Sequence, residues 1–408
     1  MKKRLKKKFY HSKFRKVLVK MYRGYILDWM YPHLYRKNAK KPVNKNKVVF
    51  IEVRDTKISD NFELIYNKLK KEYKAKISVH YLRMGFSKRL ENTRLSKAMV
   101  RDIADAKYVF LSDSSDVIGC LSMRSETVVT QLWHACGAFK KFGMSTAELI
   151  FGDDRKTLEK HPYHSNYTHV TVSSEEVVWA YEEAMSLQDK KGIVKPVGVS
   201  RTDVFYDEKY IESARERLYK KFPYAKGKKV ILYAPTFRGR VAKAKSPNVL
   251  NIAQMSKAFS DEYVLIFKHH PFVKSRTVIE DEFSTFAADF TDTMSIEDLL
   301  CVSDICISDY SSLVFEYSLF ERPMIFLAHD LDEYFDWRGF YYDYKDFVPG
   351  PIFSTTDEII EYIANIDDRF DKKQVTDFKE KFMSACDGKS TDRIMKLVFG
   401  NNLIKKEA

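Results

Sequence analysis

Ile305-Cys306-Ile307-Ser308-Asp309-Tyr310-Ser311-Ser312-Leu313-Val314-Phe315-Glu316-Tyr317-Ser318-Leu319 changes character twice. Ile305–Ser308 is a short apolar run of strand length. A polar break follows, then Ser311–Leu319 carries apolar residues at helical spacing. Met324–Leu327 is a second apolar run only a few residues later. Strand, helix and strand in such close succession predict a βαβ unit, because parallel strands need a crossover and a helix supplies it.

The same alternation extends in both directions. Val230–Ala234 and Tyr263–Lys268 read as strands, with helical patterns over Ile211–Phe222 and Asn251–Asp261. Upstream, Val48–Val53, Ile77–Leu82, Tyr108–Ser112, Val128–Trp133, His169–Ser173 and Val194–Gly198 read as strands. Asn61–Tyr73, Lys88–Asp105 and Ser174–Met185 read as helices between them, and Asp357–Phe399 is helical. The pattern restarts after Asp203. It predicts an α/β fold of two Rossmann-like domains facing a cleft, 48–205 and 206–408. A length of 408 residues, too great for one core, agrees with that division.

The chain carries +14 formal charge, unevenly placed. Residues 1–47 hold 17 Lys and Arg against one acid, Asp28, which leaves the remainder near neutral. Behind the Lys/Arg run of residues 1–9, Tyr10, Phe14, Val17, Met21, Tyr25 and Trp29 recur at three- and four-residue steps. Lys13, Lys16, Lys20 and Arg23 lie off that stripe. This predicts a basic amphipathic helix ending near Tyr31-Pro32, then a polar linker over Asn38–Lys47. Such a helix suits an anionic membrane surface; packing against its own protein is the alternative. Nucleic acid is not the expected partner, because the aromatics fall at helical spacing and the body is near neutral. The five cysteines are odd in number and form no CxxC pair, so neither a disulfide framework nor a zinc site is expected and a cytoplasmic setting fits. No apolar run approaches the ~18 residues of a membrane span.

Four strand ends carry polar clusters. Trp133-His134-Ala135-Cys136-Gly137 puts a histidine where a proton acceptor is useful, with Lys140 and Lys141 following. Tyr233-Ala234-Pro235-Thr236-Phe237-Arg238 delivers an arginine suited to phosphate. Phe267-Lys268-His269-His270-Pro271 delivers another histidine. Adjacent strand residues point to opposite faces, so the pair is not expected to hold one metal. Ser308-Asp309-Tyr310-Ser311-Ser312 opens a helix, where hydroxyls and N–H groups favour an anion. The acids at Asp113, Asp116, Asp153 and Asp154 have no metal spacing and read as solvated loop acids.

In this order, the clusters resemble those of the CDP-glycerol glycerophosphotransferase family. Ser200-Arg201-Thr202-Asp203, Glu321-Arg322-Pro323, Arg338-Gly339-Phe340-Tyr341-Tyr342-Asp343-Tyr344 and Pro349-Gly350-Pro351 extend the likeness. The resemblance implies a GT-B fold and transfer of glycerol phosphate or ribitol phosphate from a CDP-polyol to a hydroxyl, releasing CMP, in teichoic acid synthesis. It implies His134 as base and His270 near the donor phosphates. Arg238, Thr236, Ser308, Asp309, Ser311 and Ser312 would lie on the donor side, and Lys140 and Lys141 on the acceptor side. It implies a peripheral enzyme at the inner membrane face acting on an undecaprenyl-linked or polymer acceptor. CDP-polyol enters as substrate; no cofactor and no metal ligand is named. Many members have Gly-Thr-Pro where this chain has Ala135-Cys136-Gly137, a difference expected to shape the acceptor side. A GT-B glycosyltransferase using a nucleotide sugar is the competing reading.

Overall fold

The computed structural model of the protein describes residues 13–53, 55–82, 89–147, 149, 152, 154–239 and 244–406. Tyr10, the Lys/Arg run of 1–9, Lys88 and Asp153 lie outside them.

The first sheet holds β1 (Asn44–Glu52), β2 (Lys76–Tyr81), β3 (Ala106–Leu111), β4 (Val128–Gln131), β5 (His169–Thr171) and β6 (Val194–Lys195). Their order is β2-β1-β3-β4-β5-β6, all parallel. The second holds β7 (Lys229–Tyr233), β8 (Tyr263–Phe267), β9 (Ala287–Asp289), β10 (Ile305–Ser308), β11 (Met324–Leu327) and β12 (Ile352–Phe353). Their order is β12-β11-β10-β7-β8-β9, again all parallel. Central strands are apolar on both faces, as Val48, Val49, Phe50 and Ile51 show by being wholly buried. All ten expected strands are present. β9 and β12, three and two residues long, are further strands at the two edges of the second sheet.

The connecting helices that matter below are α1 (Lys13–Gly24), α2 (Tyr31–Asn38), α3 (Asp60–Glu72), α4 (Arg89–Ile103), α5 (Val178–Met185), α6 (Glu208–Lys221), α7 (Ile252–Phe259), α8 (Ile296–Val302), α9 (Leu313–Ser318), α10 (Leu331–Arg338), α11 (Thr356–Ala364), α12 (Lys372–Met383) and α13 (Ser390–Phe399). In the second sheet the strand order reverses between β7 and β10, which sit side by side. That switch point opens a crevice at their carboxyl ends, where Thr236–Arg238 and Ser308–Ser312 emerge.

Two expected boundaries are corrected. The helical arm does not stop at Tyr31-Pro32. A π-helical stretch, Tyr25–Met30, joins α1 to α2, and Pro32 falls in the first turn of α2, where its missing N–H costs no helix bond. No linker spans Asn38–Lys47, because β1 starts at Asn44. The second domain does not keep the C-terminal helices to itself either. Ile394, Met395, Val398 and Phe399 of α13 pack on Val48, Phe50, Tyr108 and Phe110 of the first sheet. Asp203 accepts from the Ser390 and Thr391 N–H groups (3.0 and 2.7 Å), and Lys405 bridges to Tyr73. An apolar face on the last helix identifies a buried surface but not which domain receives it.

The arm has two faces. Leu27, Tyr31 and Tyr35 are buried in the first domain's core. Tyr22 bonds Thr93 (2.9 Å), and Arg23 pairs with Asp116 (3.3 Å). Val17, Leu18, Met21, Tyr25 and Trp29 remain exposed, with Tyr25, Trp29 and His33 stacked at 5.3–5.4 Å. No helix among the described residues is long and apolar enough to cross a membrane.

Candidate active site

β4 ends at Gln131, and the chain turns sharply. Trp133 takes φ of 60°, a left-handed conformation that bulky residues avoid and that marks a constrained position. The Trp133 N–H donates to Gln131 Oε1 (2.9 Å), while Gln131 Nε2 donates to the Asp113 carbonyl (3.0 Å). The Trp133 ring lies on Phe142 (4.9 Å) and near His164 (5.2 Å). Burial lowers the His164 pKa to about 4, so that ring is neutral.

This turn presents His134, whose side chain is 31% exposed. Its Nδ1 lies 3.3 Å from the Ser112 carbonyl and 3.9 Å from an Asp113 carboxylate oxygen. A carbonyl only accepts, so the proton belongs on Nδ1 and the lone pair on Nε2, the form a general base requires. Asp113 is not the solvated loop acid read from the sequence. It is buried, at the end of β3, and faces the histidine. Its place just beyond a strand was the available signal.

His270 has the opposite polarity. Its Nδ1 accepts from the Phe272 N–H (3.1 Å), which places its proton on Nε2. Phe237 and Phe272 hold the ring at 4.9 and 4.5 Å. The neighbouring His269 is buried, its ring nitrogens without partners among the described residues, and burial lowers its pKa.

Arg238 departs from the expected phosphate clamp. Nε and Nη2 grip both oxygens of Asp330 (2.5 and 2.8 Å), and Nη1 donates to Asp309 (2.9 Å) and the Thr236 carbonyl (2.7 Å). The guanidinium also lies over the rings of Tyr310 and Tyr334 (5.0 and 5.2 Å). Its donors are largely committed to protein. The same holds for two other residues expected on the donor. The Asp309 carboxylate is buried and accepts from the N–H groups of Thr236 and Tyr310 (2.7 and 2.6 Å), and Ser308 donates to the Ala234 carbonyl (2.8 Å). These three tie the β7 and β10 loops together instead of presenting polar atoms. Asp330, just past β11, was missed, although it too follows a strand end. Ser311 and Ser312 are half-buried at the start of α9, and the Thr236 hydroxyl is buried without a partner among the described residues.

Lys140 and Lys141, expected on the acceptor side, lie at the contact with the second domain. Lys140 bridges Phe340, and its ammonium lies 3.4 Å from the Tyr334 hydroxyl. The Lys141 N–H donates to the Gly339 carbonyl (3.1 Å), and the Tyr341 N–H to the Phe139 carbonyl (3.0 Å). Phe139 and Phe340 stack at 4.9 Å. The Gly339–Tyr344 segment of the second domain is thus strapped to the chain just after His134. The Ala135-Cys136-Gly137 stretch lies in the same seam. Tyr181 of α5, in the same domain, donates to the carbonyls of Ala135 and Gly137 (3.2 and 3.0 Å), and Gly137 lies against Phe315 of the second domain, so this stretch shapes the domain contact.

Residues 33–400 match the family described as CDP-glycerol:poly(glycerophosphate) glycerophosphotransferase. The chain belongs to this family. It is 38% identical over 87% of its length to the teichoic acid poly(ribitol-phosphate) polymerase of Bacillus spizizenii, and spans 56% of that protein. It is 36% identical over 88% of its length to the teichoic acid ribitol-phosphate primase of the same organism, covering 92% of that protein. The structure of the wall teichoic acid polymerase TagF superposes with a TM-score of 0.75 over 95% of this chain and 97% of that one, at 20% identity. That likeness confirms the two-domain GT-B fold. As a member of the family the chain is a transferase of the polyol-phosphate class in teichoic acid synthesis.

Proposed function

We propose that this protein transfers ribitol phosphate, in preference to glycerol phosphate, from a CDP-polyol to a hydroxyl of a membrane-linked or polymer acceptor, releasing CMP. The observation that carries the reading is the pair of histidines held in opposite tautomers at the ends of β4 and β8. His134 Nε2 takes the proton of the acceptor hydroxyl as its oxygen attacks the phosphorus bearing the polyol. The bond from that phosphorus to the bridging oxygen breaks, and CMP leaves with the bonding pair. Negative charge grows on the departing phosphate, and His270 Nε2–H and the N–H groups at the start of α9 donate to it. Ser311, Ser312 and Thr236 contact the donor. Arg238, Asp309 and Ser308 set the loops that carry them. Lys140 and Lys141 hold the acceptor side of the seam in place.

Preference for ribitol is supported by the relatives. Those named as ribitol-phosphate enzymes match 86–88% of the chain at 34–38% identity. A glycerol-phosphate primase matches at 29% over 73%. CMP release measured with CDP-ribitol and CDP-glycerol, at equal concentration and with a polyol-phosphate acceptor, tests this. Faster release from CDP-ribitol is expected; a clear preference for CDP-glycerol overturns the donor assignment. His270→Ala is expected to lower CMP release by roughly 10–100-fold, the effect of losing a charge-assisted donor.

The exposed face of the arm supports peripheral attachment to the anionic inner membrane surface. Met21, Tyr25 and Trp29 enter the interface, while Lys20, Arg36 and Lys37, all exposed, meet the headgroups. Removing residues 1–31 would take Leu27 and Tyr31 out of the core, so substitution is the sounder test. Met21→Ser/Tyr25→Ser/Trp29→Ser is expected to weaken binding to phosphatidylglycerol-containing liposomes by roughly tenfold or more, with an unchanged melting temperature. Unaltered liposome binding would contradict the attachment.

A further inference from the structure

The segment Ser200–Tyr206 links the two domains, and its side chains point to both. Ser200 bonds Thr391 (2.8 Å), and Asp203 caps α13 on the first domain's side. Arg201 turns the other way. Its Nη2 donates to Glu316 of α9, the helix that begins at the two donor-side serines. The pair is enclosed, with side chains 13% and 7% exposed.

An isolated ion pair at such a depth is a poor stabiliser, because desolvation offsets the attraction. This pair is also incompletely satisfied. Arg201 Nε and Glu316 Oε2 have no partner among the described residues, and neither has Oε2 of the nearby Glu297. An apolar pair of similar volume would pack this seam at least as well, so stability does not account for the charges.

What the pair does is connect. The buried Cys136, two residues beyond His134, lies close to the Arg201 guanidinium. One residue further, Gly137 takes φ of +62° and lies flat against Phe315, so that a Cβ there would sit 2.2 Å from the ring. Phe315 precedes Glu316. The base-bearing loop therefore meets α9 at Phe315, and the next residue, Glu316, receives the ion pair from Arg201. The Arg201–Glu316 pair supplies direction, since a guanidinium fixes the rotation of the helix carrying its carboxylate in a way that a ring contact does not.

We infer that Arg201 is a positioning residue for transfer: through Glu316 it fixes α9, and with it Ser311 and Ser312, against the loop that presents His134. The inference rests on the proposed roles of those residues. Misplacing reacting groups by about 1 Å costs roughly 100-fold in rate even when the altered residue is remote.

Three variants test it: Arg201→Met, Arg201→Lys and the double variant Arg201→Met/Glu316→Leu. Arg201→Met leaves a lone buried carboxylate, so its melting temperature falls. The double variant removes that charge and regains thermal stability. If the pair positions, kcat for CMP release stays roughly 100-fold down in the double variant, with donor KM within about threefold of wild type, and Arg201→Lys recovers part of kcat. A double variant that regains wild-type kcat with its stability shows a merely structural pair and overturns the proposal. Hydrogen exchange supplies a readout independent of the donor. Faster exchange confined to residues 133–139 and 311–318 of the stable double variant is expected, and unchanged exchange there overturns the proposal. Absence of CMP release by wild type from any CDP-polyol would instead sink the functional reading, while the exchange result still decides the positioning role.

Discussion

Replacing His134 by alanine is expected to lower CMP release by roughly 10²–10⁴-fold at saturating donor, the contribution of a positioned general base. The protein should still unfold in one cooperative transition. The side chain is 31% exposed and Nδ1 meets a backbone carbonyl, so its removal leaves no large cavity in the core. The constrained turn at Trp133 is held by Gln131 and by the aromatic stack on Phe142, neither of which involves the imidazole. Turnover and thermal unfolding measured on the same preparation check both halves. Near-normal turnover contradicts the assignment. A variant that fails to fold would make His134 a structural residue.

Arg238→Ala is the second large effect, and its signature distinguishes a strut from a clamp. A phosphate clamp would leave stability alone and raise donor KM. The geometry predicts that both change. Alanine strands the buried carboxylate of Asp309 and the partly buried one of Asp330, and breaking such a pair costs roughly 3–5 kcal/mol. The loops after β7 and β10 then lose their common anchor, and donor KM rises with them. Arg238→Lys should recover little. One ammonium cannot grip Asp330 through two parallel bonds while also reaching Asp309 and the Thr236 carbonyl. A melting temperature equal to wild type in Arg238→Ala would show that the guanidinium is not the anchor described.

The strands were legible because each central one is a short apolar run closed by a polar or proline residue, as in Val230–Ala234 before Pro235. Buried on both faces, such strands leave an unbroken signal. The return of α13 to the first sheet was not legible. An amphipathic helix announces that it packs, and only the fold decides on what. His134 and His270 stood out by following strands, and the structure adds their tautomers, which depend on a carbonyl and an N–H that sequence cannot locate. Arg238 illustrates the opposite limit. Its position was visible, but its partner Asp330 lies after a different strand, so a charge available for phosphate and one already paired looked alike. Glu316 carried a signal that went unused: a lone carboxylate in the apolar run Leu313–Leu319 must either face solvent or meet a buried cation, and it meets Arg201.

The arm carries two faces where the sequence showed one stripe. Spacing of Val17, Met21, Tyr25 and Trp29 identified an apolar face, and that face is exposed. A second face, Leu27, Tyr31 and Tyr35, holds the helix to the body. Sequence periodicity did not separate them, because the π-helical stretch between α1 and α2 shifts the register of the helix.

Transfer of an intact polyol phosphate from a CDP-polyol leaves its mark on the product. Purified protein is incubated with CDP-ribitol and a synthetic polyol-phosphate acceptor, and the acceptor is analysed by mass spectrometry alongside CMP. Acceptor masses rising in steps of one ribitol phosphate are expected, with one CMP released per step and neither change in His134→Ala. Acceptor that stays unmodified with CDP-ribitol and CDP-glycerol alike, or that gains a glycosidic sugar from a nucleotide sugar instead, would contradict that transfer.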